Sequence, residues 1–384
     1  MKMIICRVMM VALFLAQLCR AAGPLDNWSR QGDGTFEYYN GVAYGGGRFV
    51  VVGALTNGTG VIVTSSDGTN WTYAAAGTTN ALNDVSYGNG QFAAVGANGT
   101  VVVSPNGTDW TPRDSGMSNL LTSVAYGNGQ FVAVGFSFNG LASADGTNWT
   151  RIHLGATLSP STISFAGDQF VLLDYGTILT STGGSNWSHR FSASPGTSYS
   201  GIGYGNGRYV AVGSHGQVGG NGNVAVSRDT LTWTPLDIGQ SNSLYAVAFG
   251  SGLFVAVGGL NGGVGCLILS SSDGANWTQH PPGTRGWLAD IAYGNGRFVA
   301  VGNFGSILLS QPVVQLEPLT PLLNGEPQFK LTGPSGQTCA IQASTDFADW
   351  LVLTNLVLTN GSGQFIDHSA ADVDRRFYRV ASPP

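Results

Sequence analysis

Four residues stand out from the many glycines, serines and threonines of this chain: Tyr38 and Trp287, each eleven places before a recurring aromatic residue, with Glu37 and Arg285 beside them. Tyr39 adjoins the first pair, and His215 lies in a glycine-rich stretch further on. Two flat rings flanked by one acid and one base offer a stacking platform for a sugar ring or a peptide side chain. The competing reading is that both rings fill a junction between packed elements. Catalysis asks for more. Glycoside hydrolysis takes two carboxylates across the scissile bond, yet Glu37 is the single glutamate before residue 311, and its candidate partners Asp114, Asp174 and Asp237 fall in separate stretches. No Ser-His-Asp order, P-loop, HExxH or CxxC motif occurs, so neither a catalytic residue nor a cofactor is expected.

The elements that position these residues follow from a repeat. A segment like Val-Ala-Tyr-Gly-Asn-Gly-x-Phe-Val-Ala-Val-Gly recurs with its aromatic at Phe49, Phe92, Phe131, Phe170, Tyr209, Phe254 and Phe298, at intervals of 39 to 45 residues. A second segment, as in Ser65 to Thr72, carries Trp71, Trp110, Trp149, Trp187, Trp233 and Trp277. Each period holds four short strands, A to D. A and B are apolar on both faces, C ends in serine, and D starts at the tryptophan. The Gly-Asn-Gly between A and B is hairpin chemistry. Four strands repeated seven times predict an all-β, seven-bladed β-propeller. The seventh copy stops at Ser310 without its tryptophan strand. Trp28 precedes Phe49 by 21 residues, the spacing found in every other unit except Trp187 to Tyr209. The N-terminal strand at Trp28 is therefore expected to complete the last blade and remove an exposed edge.

The turn sequences around Asp67, Asp145, Asp229 and Asp273 resemble the Asp-box (BNR) repeats of sialidase-like propellers, in a variant with one residue fewer between Asp and Trp. The complete repeat, residues 25 to 310, is similar to that of photosystem II assembly-factor propellers and their bacterial relatives. That resemblance implies the fold and says little about activity. The sialidase Phe/Tyr-Arg-Ile-Pro segment is missing, and Arg48, Arg208 and Arg297 recur at one position beside the A–B turn, where they read as solvated turn residues. The aspartates are read as structural, pinning the C–D turn through backbone amides. Asn106 and Gly183 replace Asp in two copies, so no metal is expected.

Strand reversal puts the A–B and C–D turns on one face and the B–C loops and D–A connections on the other. From the strand-B aromatic to the tryptophan the spacings are 22, 18, 18, 17, 24 and 23. The extra length gathers in blades 1, 5 and 6, an arc on the second face that also holds Tyr38, Trp287 and His215. Insertions on one face of a repeat array are where binding is built.

The ends differ in character. Lys2 and Arg7, the apolar stretch Val8 to Leu18 and the small residues Ala21 and Ala22 read as a signal peptide over residues 1–22, implying a secreted or extracytoplasmic protein. Removing Lys2, Arg7 and Arg20 leaves 13 basic against 21 acidic residues, a formal charge of −8, which disfavours nucleic acid as a partner. No later segment has the ~20 apolar residues of a transmembrane helix. Residues 23–311 form the repeat region and 312–327 an edge strand and linker. Residues 328–384 form a small antiparallel β-sandwich, resembling appendages of secreted proteins of Verrucomicrobia-like and Planctomycetes-like bacteria. Cys266 and Cys339 are read as buried free thiols. The functional expectation is a non-catalytic binding module for carbohydrate or an envelope protein. A glycoside hydrolase and an extracytoplasmic assembly or stability factor are the alternatives.

Overall fold

The computed structural model describes residues 24 to 384 except 33–36, 137–138, 156–159, 216–220, 241, 261–264, 282, 320–325, 334–335, 347–348, 371–375 and 382–384. The expected leader, 1–22, lies outside the described residues, as does the His215 side chain. The described chain is all-β apart from one 3-10 turn at Ala97–Gly99.

Each Tyr-Gly-Asn-Gly segment reverses the chain because its turn residues accept positive φ, as at Asn89 (49°) and Gly90 (76°), the geometry a two-residue hairpin requires. Two further strands follow, and the described residues contain seven such four-stranded antiparallel sheets. Their A strands are Tyr38–Gly45, Leu82–Gly88, Leu121–Gly127, Thr162–Ala166, Thr197–Gly205, Ser243–Gly250 and Leu288–Gly294. The seventh sheet takes its fourth strand from the N-terminus: Trp28–Arg30 pairs with Ser306–Ser310, Trp28 opposite Ser310. His280 of the sixth sheet holds this strand's approach through a 2.8 Å contact from Nδ1 to Asp26 Oδ1.

The A strands stand side by side in chain order around an axial cavity, the last next to the first. Glycine makes that approach close. A Cβ on Gly45 would lie 1.9 Å from the Tyr87 ring of the next sheet; Gly88 meets Tyr126 in the same way, and Gly294 meets Tyr44, joining the seventh sheet to the first. The apolar core is divided accordingly. Phe49, Val51 and Val63 of the first sheet pack with Val299, Ile307 and Leu309 of the seventh, and Trp71 covers the edge.

Six of the seven A strands carry a register shift two or three residues in, for example between Leu82 and Asp84 and between Leu288 and Asp290. Such a bulge re-aims its side chains. Here it turns one residue toward the next sheet, as when Asn40 Nδ2 donates to Leu82 O at 2.8 Å, and the following residue toward the axial cavity.

After Ser310 two three-stranded sheets, Gln315–Leu319 with Gln328–Thr332 and Ser362–Ile366, and Leu351–Val357 with Thr338–Ser344 and Phe377–Ala381, enclose Leu331, Cys339, Ile341 and Leu358. Ser344, Asp346 and Trp350 repeat the spacing of the earlier turns, and Ser344 Oγ donates to Asp346 Oδ1 at 3.0 Å. Cys266 and Cys339 are both free and buried.

Candidate functional site

The turn aspartates are fully engaged by their own loops. Asp273 Oδ1 accepts from the amides of Ala275 and Asn276 at 2.9 and 2.8 Å, while Trp277 Nε1 donates to Gly274 O at 3.0 Å. Burial alone would raise this carboxyl, but the amide donors outweigh it and hold it at about 2. Asp67, Asp145 and Asp229 make the same contacts and are likewise held low. The arginines at the A–B turns also differ from solvated turn residues. They are half-buried, Arg48 Nη1 donating to Thr64 Oγ1 at 3.3 Å, Arg208 Nη1 to Asp273 O of the next sheet at 3.0 Å and Arg297 Nη1 to Ser310 O at 3.4 Å. This face is used up in holding neighbours together.

The opposite face is different. Tyr38 and Trp287 are 42% and 40% exposed, whereas their neighbours are buried, Tyr39 (4%) between the seventh and first sheets and Leu288 (0%) between the sixth and seventh. Glu37 and Tyr39, expected beside a ligand, are instead each other's partners in the interior. The Glu37 carboxylate is buried and accepts from the Tyr39 hydroxyl and, at 2.7 Å, from the Tyr73 hydroxyl. Burial, then the Glu37 hydrogen bond and charge, raise Tyr39 far above its ordinary range. Their apolar neighbours explain the difference: a carboxylate this enclosed needs hydroxyl donors and finds two.

Two further exposed aromatics, Tyr245 and Phe304, join the platform. Gly259 lies against both Trp287 and Tyr245, Gly286 lies against Phe304, and Asn303 N donates to Trp287 O while Asn303 bridges to the Tyr38 backbone. Phe304, Trp287 and Tyr245 thus form a row, with Tyr38 beside it. At the outer end a recess of about 620 Å³ is walled by Arg30, Gly283, Thr284, Arg285, Gly286 and Phe304. Tyr245 lines the axial cavity at the inner end.

That cavity, about 390 Å³, holds two carboxylates that repeat comparison can locate but that charge and motif searches pass over. Asp84 and Asp290 sit eight places before Phe92 and Phe298, where other units have Gly41, Ser123, Thr162, Gly201 and Ala246. Asp84 Oδ2 accepts from Ser123 Oγ (2.6 Å) and Val124 N (2.9 Å) of the third sheet; Asp290 Oδ2 accepts from Val42 N (2.8 Å) of the first. Burial raises both carboxyls, and the negative charge of Asp84 adds to the rise at Asp290. Gly41 separates them, and a Cβ there would lie 3.1 Å from Asp84 Oδ1.

The structure also assembles a Ser-His-Asp chain that sequence order concealed, since its members come from two strands and a turn, at both ends of the repeat region. Ser270 Oγ lies 2.7 Å from His280 Nε2, and His280 Nδ1 lies 2.8 Å from Asp26 Oδ1. Acyl transfer needs free amides to receive the oxyanion. Ser270 lies in a strand paired on both sides, so its amides belong to the ladder, and the chain of contacts serves as a clasp for the N-terminus. Among the described residues no three His, Cys, Asp or Glu side chains gather as a metal would need, and no helix is long and apolar enough to cross a membrane.

No family model and no curated protein matches the chain. Solved structures do. YCF48 from Cyanidioschyzon merolae superposes with a TM-score of 0.58 at 16% identity, covering 74% of this chain and 98% of that one. A virginiamycin B lyase from Staphylococcus aureus, crystallised with quinupristin, gives 0.63 at 12%, covering 75% and 99%. The WD40 domain of Neurospora crassa Pan2 gives 0.55 at 9%, covering 75% and 97%. The fold is a β-propeller. These neighbours include a lyase and a WD40 domain, so the propeller itself leaves the activity open.

Proposed function

We propose that this chain is a secreted, non-catalytic binding module, in which a seven-bladed Asp-box propeller, closed by the strand at Trp28, presents a ligand face and carries a C-terminal β-sandwich. The observation that supports it is the row Phe304, Trp287 and Tyr245 with Tyr38 alongside, four aromatic side chains each at least 37% exposed. Exposed aromatics gathered on one face mark an interaction surface, and Tyr39 and Leu288, not these rings, belong to the apolar cores beside it. Carbohydrate is favoured over an envelope protein as ligand because flat rings at strand starts and turns suit the C–H face of a pyranose. An extended peptide gains affinity along a sheet edge instead.

Trp287→Ala with Tyr38→Ala is the decisive variant. Glycan-array binding should fall by about tenfold or more while Tm moves by only a degree or two, as expected for exposed side chains. A large loss of Tm would return both residues to junction packing. Turnover of a chromogenic glycoside would replace the binding reading with catalysis.

A further inference from the structure

We infer that the aromatic row takes an oligosaccharide carrying a single carboxylate, with the acid held by Arg30 and Arg285 and the neutral sugars running inward over Trp287 and Tyr245; this rests on the carbohydrate reading above. Among the described residues, the recess at the outer end is walled by two arginines and no acid. Both guanidinium groups are on exposed residues, and among the described residues no carboxylate forms an ion pair with either. Arg30 Nη2 donates to Phe304 O at 3.3 Å, which ties its guanidinium beside the first ring of the row. Paired guanidinium forks recognise carboxylate bidentately.

Charge sorts the two ends. The axial cavity beyond Tyr245 carries Asp84 and Asp290 and no basic residue in its lining, so it offers a second carboxylate no counter-charge. A ligand charged on every sugar would have to bury unpaired charge there; one charged at a single end would not.

The test is calorimetric titration of the full chain with an aldotetraouronic acid, which bears one uronate, beside its methyl ester and a fully charged tetragalacturonate. The acid should bind about tenfold tighter than the ester and tighter than the tetragalacturonate. The double variant Arg30→Gln, Arg285→Gln should keep its Tm and bind acid and ester alike. If wild type already binds acid and ester equally, the carboxylate inference falls and the carbohydrate reading stands. If no saccharide binds, and an envelope protein is captured through a Trp287-dependent contact, the carbohydrate reading falls with it. Tetragalacturonate binding tightest of the three would overturn the assignment of a single charge.

Discussion

At Ser181 and Trp187 the fourth repeat leaves two polar atoms without partners. The serine hydroxyl and the indole nitrogen are both buried and unpaired in the fourth repeat, where Gly183 stands in place of the turn aspartate. In the other repeats that position collects the serine hydroxyl and two amides, as Asp273 and Asp67 do. Gly183 has open space around its Cα and no positive φ. Gly183→Asp should therefore restore the turn and stabilise the protein by about 1 kcal/mol, read as a higher urea midpoint; a lower midpoint would show that the turn is set by other contacts. Glu37 is the opposite case. Removing its carboxylate by Glu37→Ala strands the buried Tyr39 hydroxyl and should cost about 1–3 kcal/mol, with Glu37→Gln milder, on the same denaturation curve. Nothing in the spacing of Glu37, Tyr38 and Tyr39 announces that the first and third turn inward and the second outward. Alternation along the strand decides it, and the strand begins only at Tyr38.

Among elements, the A strands carry the most information. Their hairpin glycines, and the buried phenylalanines of the B strands they pair with, were legible from the repeat. The glycine that ends six of the seven was legible only as turn chemistry, whereas each leaves room for an aromatic ring of the neighbouring sheet to rest on the backbone. Gly294→Ala places a Cβ 2.0 Å from the Tyr44 ring, and should cost about 1–3 kcal/mol by overpacking. Gly183→Ala, with nothing nearby, should leave Tm unchanged and serves as the control. The strand Trp28–Arg30 is held by its ladder to Ser306–Ser310 and by the His280–Asp26 contact. Deleting residues 26 to 31 uncovers that edge and should produce aggregation or a much earlier melt. Melting like that of the full chain would contradict a closing role.

For the whole molecule, the two raised carboxyls in the axial cavity predict how stability follows pH. Their folded-state pKa values lie above the ordinary 3.8, so the folded protein holds these protons more tightly than the unfolded chain. Their contribution is full below the ordinary carboxylate pKa and is lost as pH rises through the raised folded values. Calorimetric Tm should fall from mildly acidic toward alkaline pH, and Asp290→Asn should flatten that slope; an unchanged slope would show that the pair does not titrate in this range. The all-β class and the four-strand period were readable because they recur. Asp84 and Asp290 were not, because a single substitution within a repeat looks like drift until the fold turns both toward one axis.

The meeting of Pro24 and Gln311, whose backbones share a 3.1 Å hydrogen bond, makes the propeller a body with one doorway. The chain enters and leaves on the side of the serine–aspartate turns, where Val313 N also bonds Gly296 O of an A–B turn. Whatever is fused or tethered to either end therefore hangs from that side, and the aromatic row on the far side stays clear of it. A biosensor or affinity matrix coupled through either end of the propeller should orient the molecules alike, with the exposed aromatic row outward.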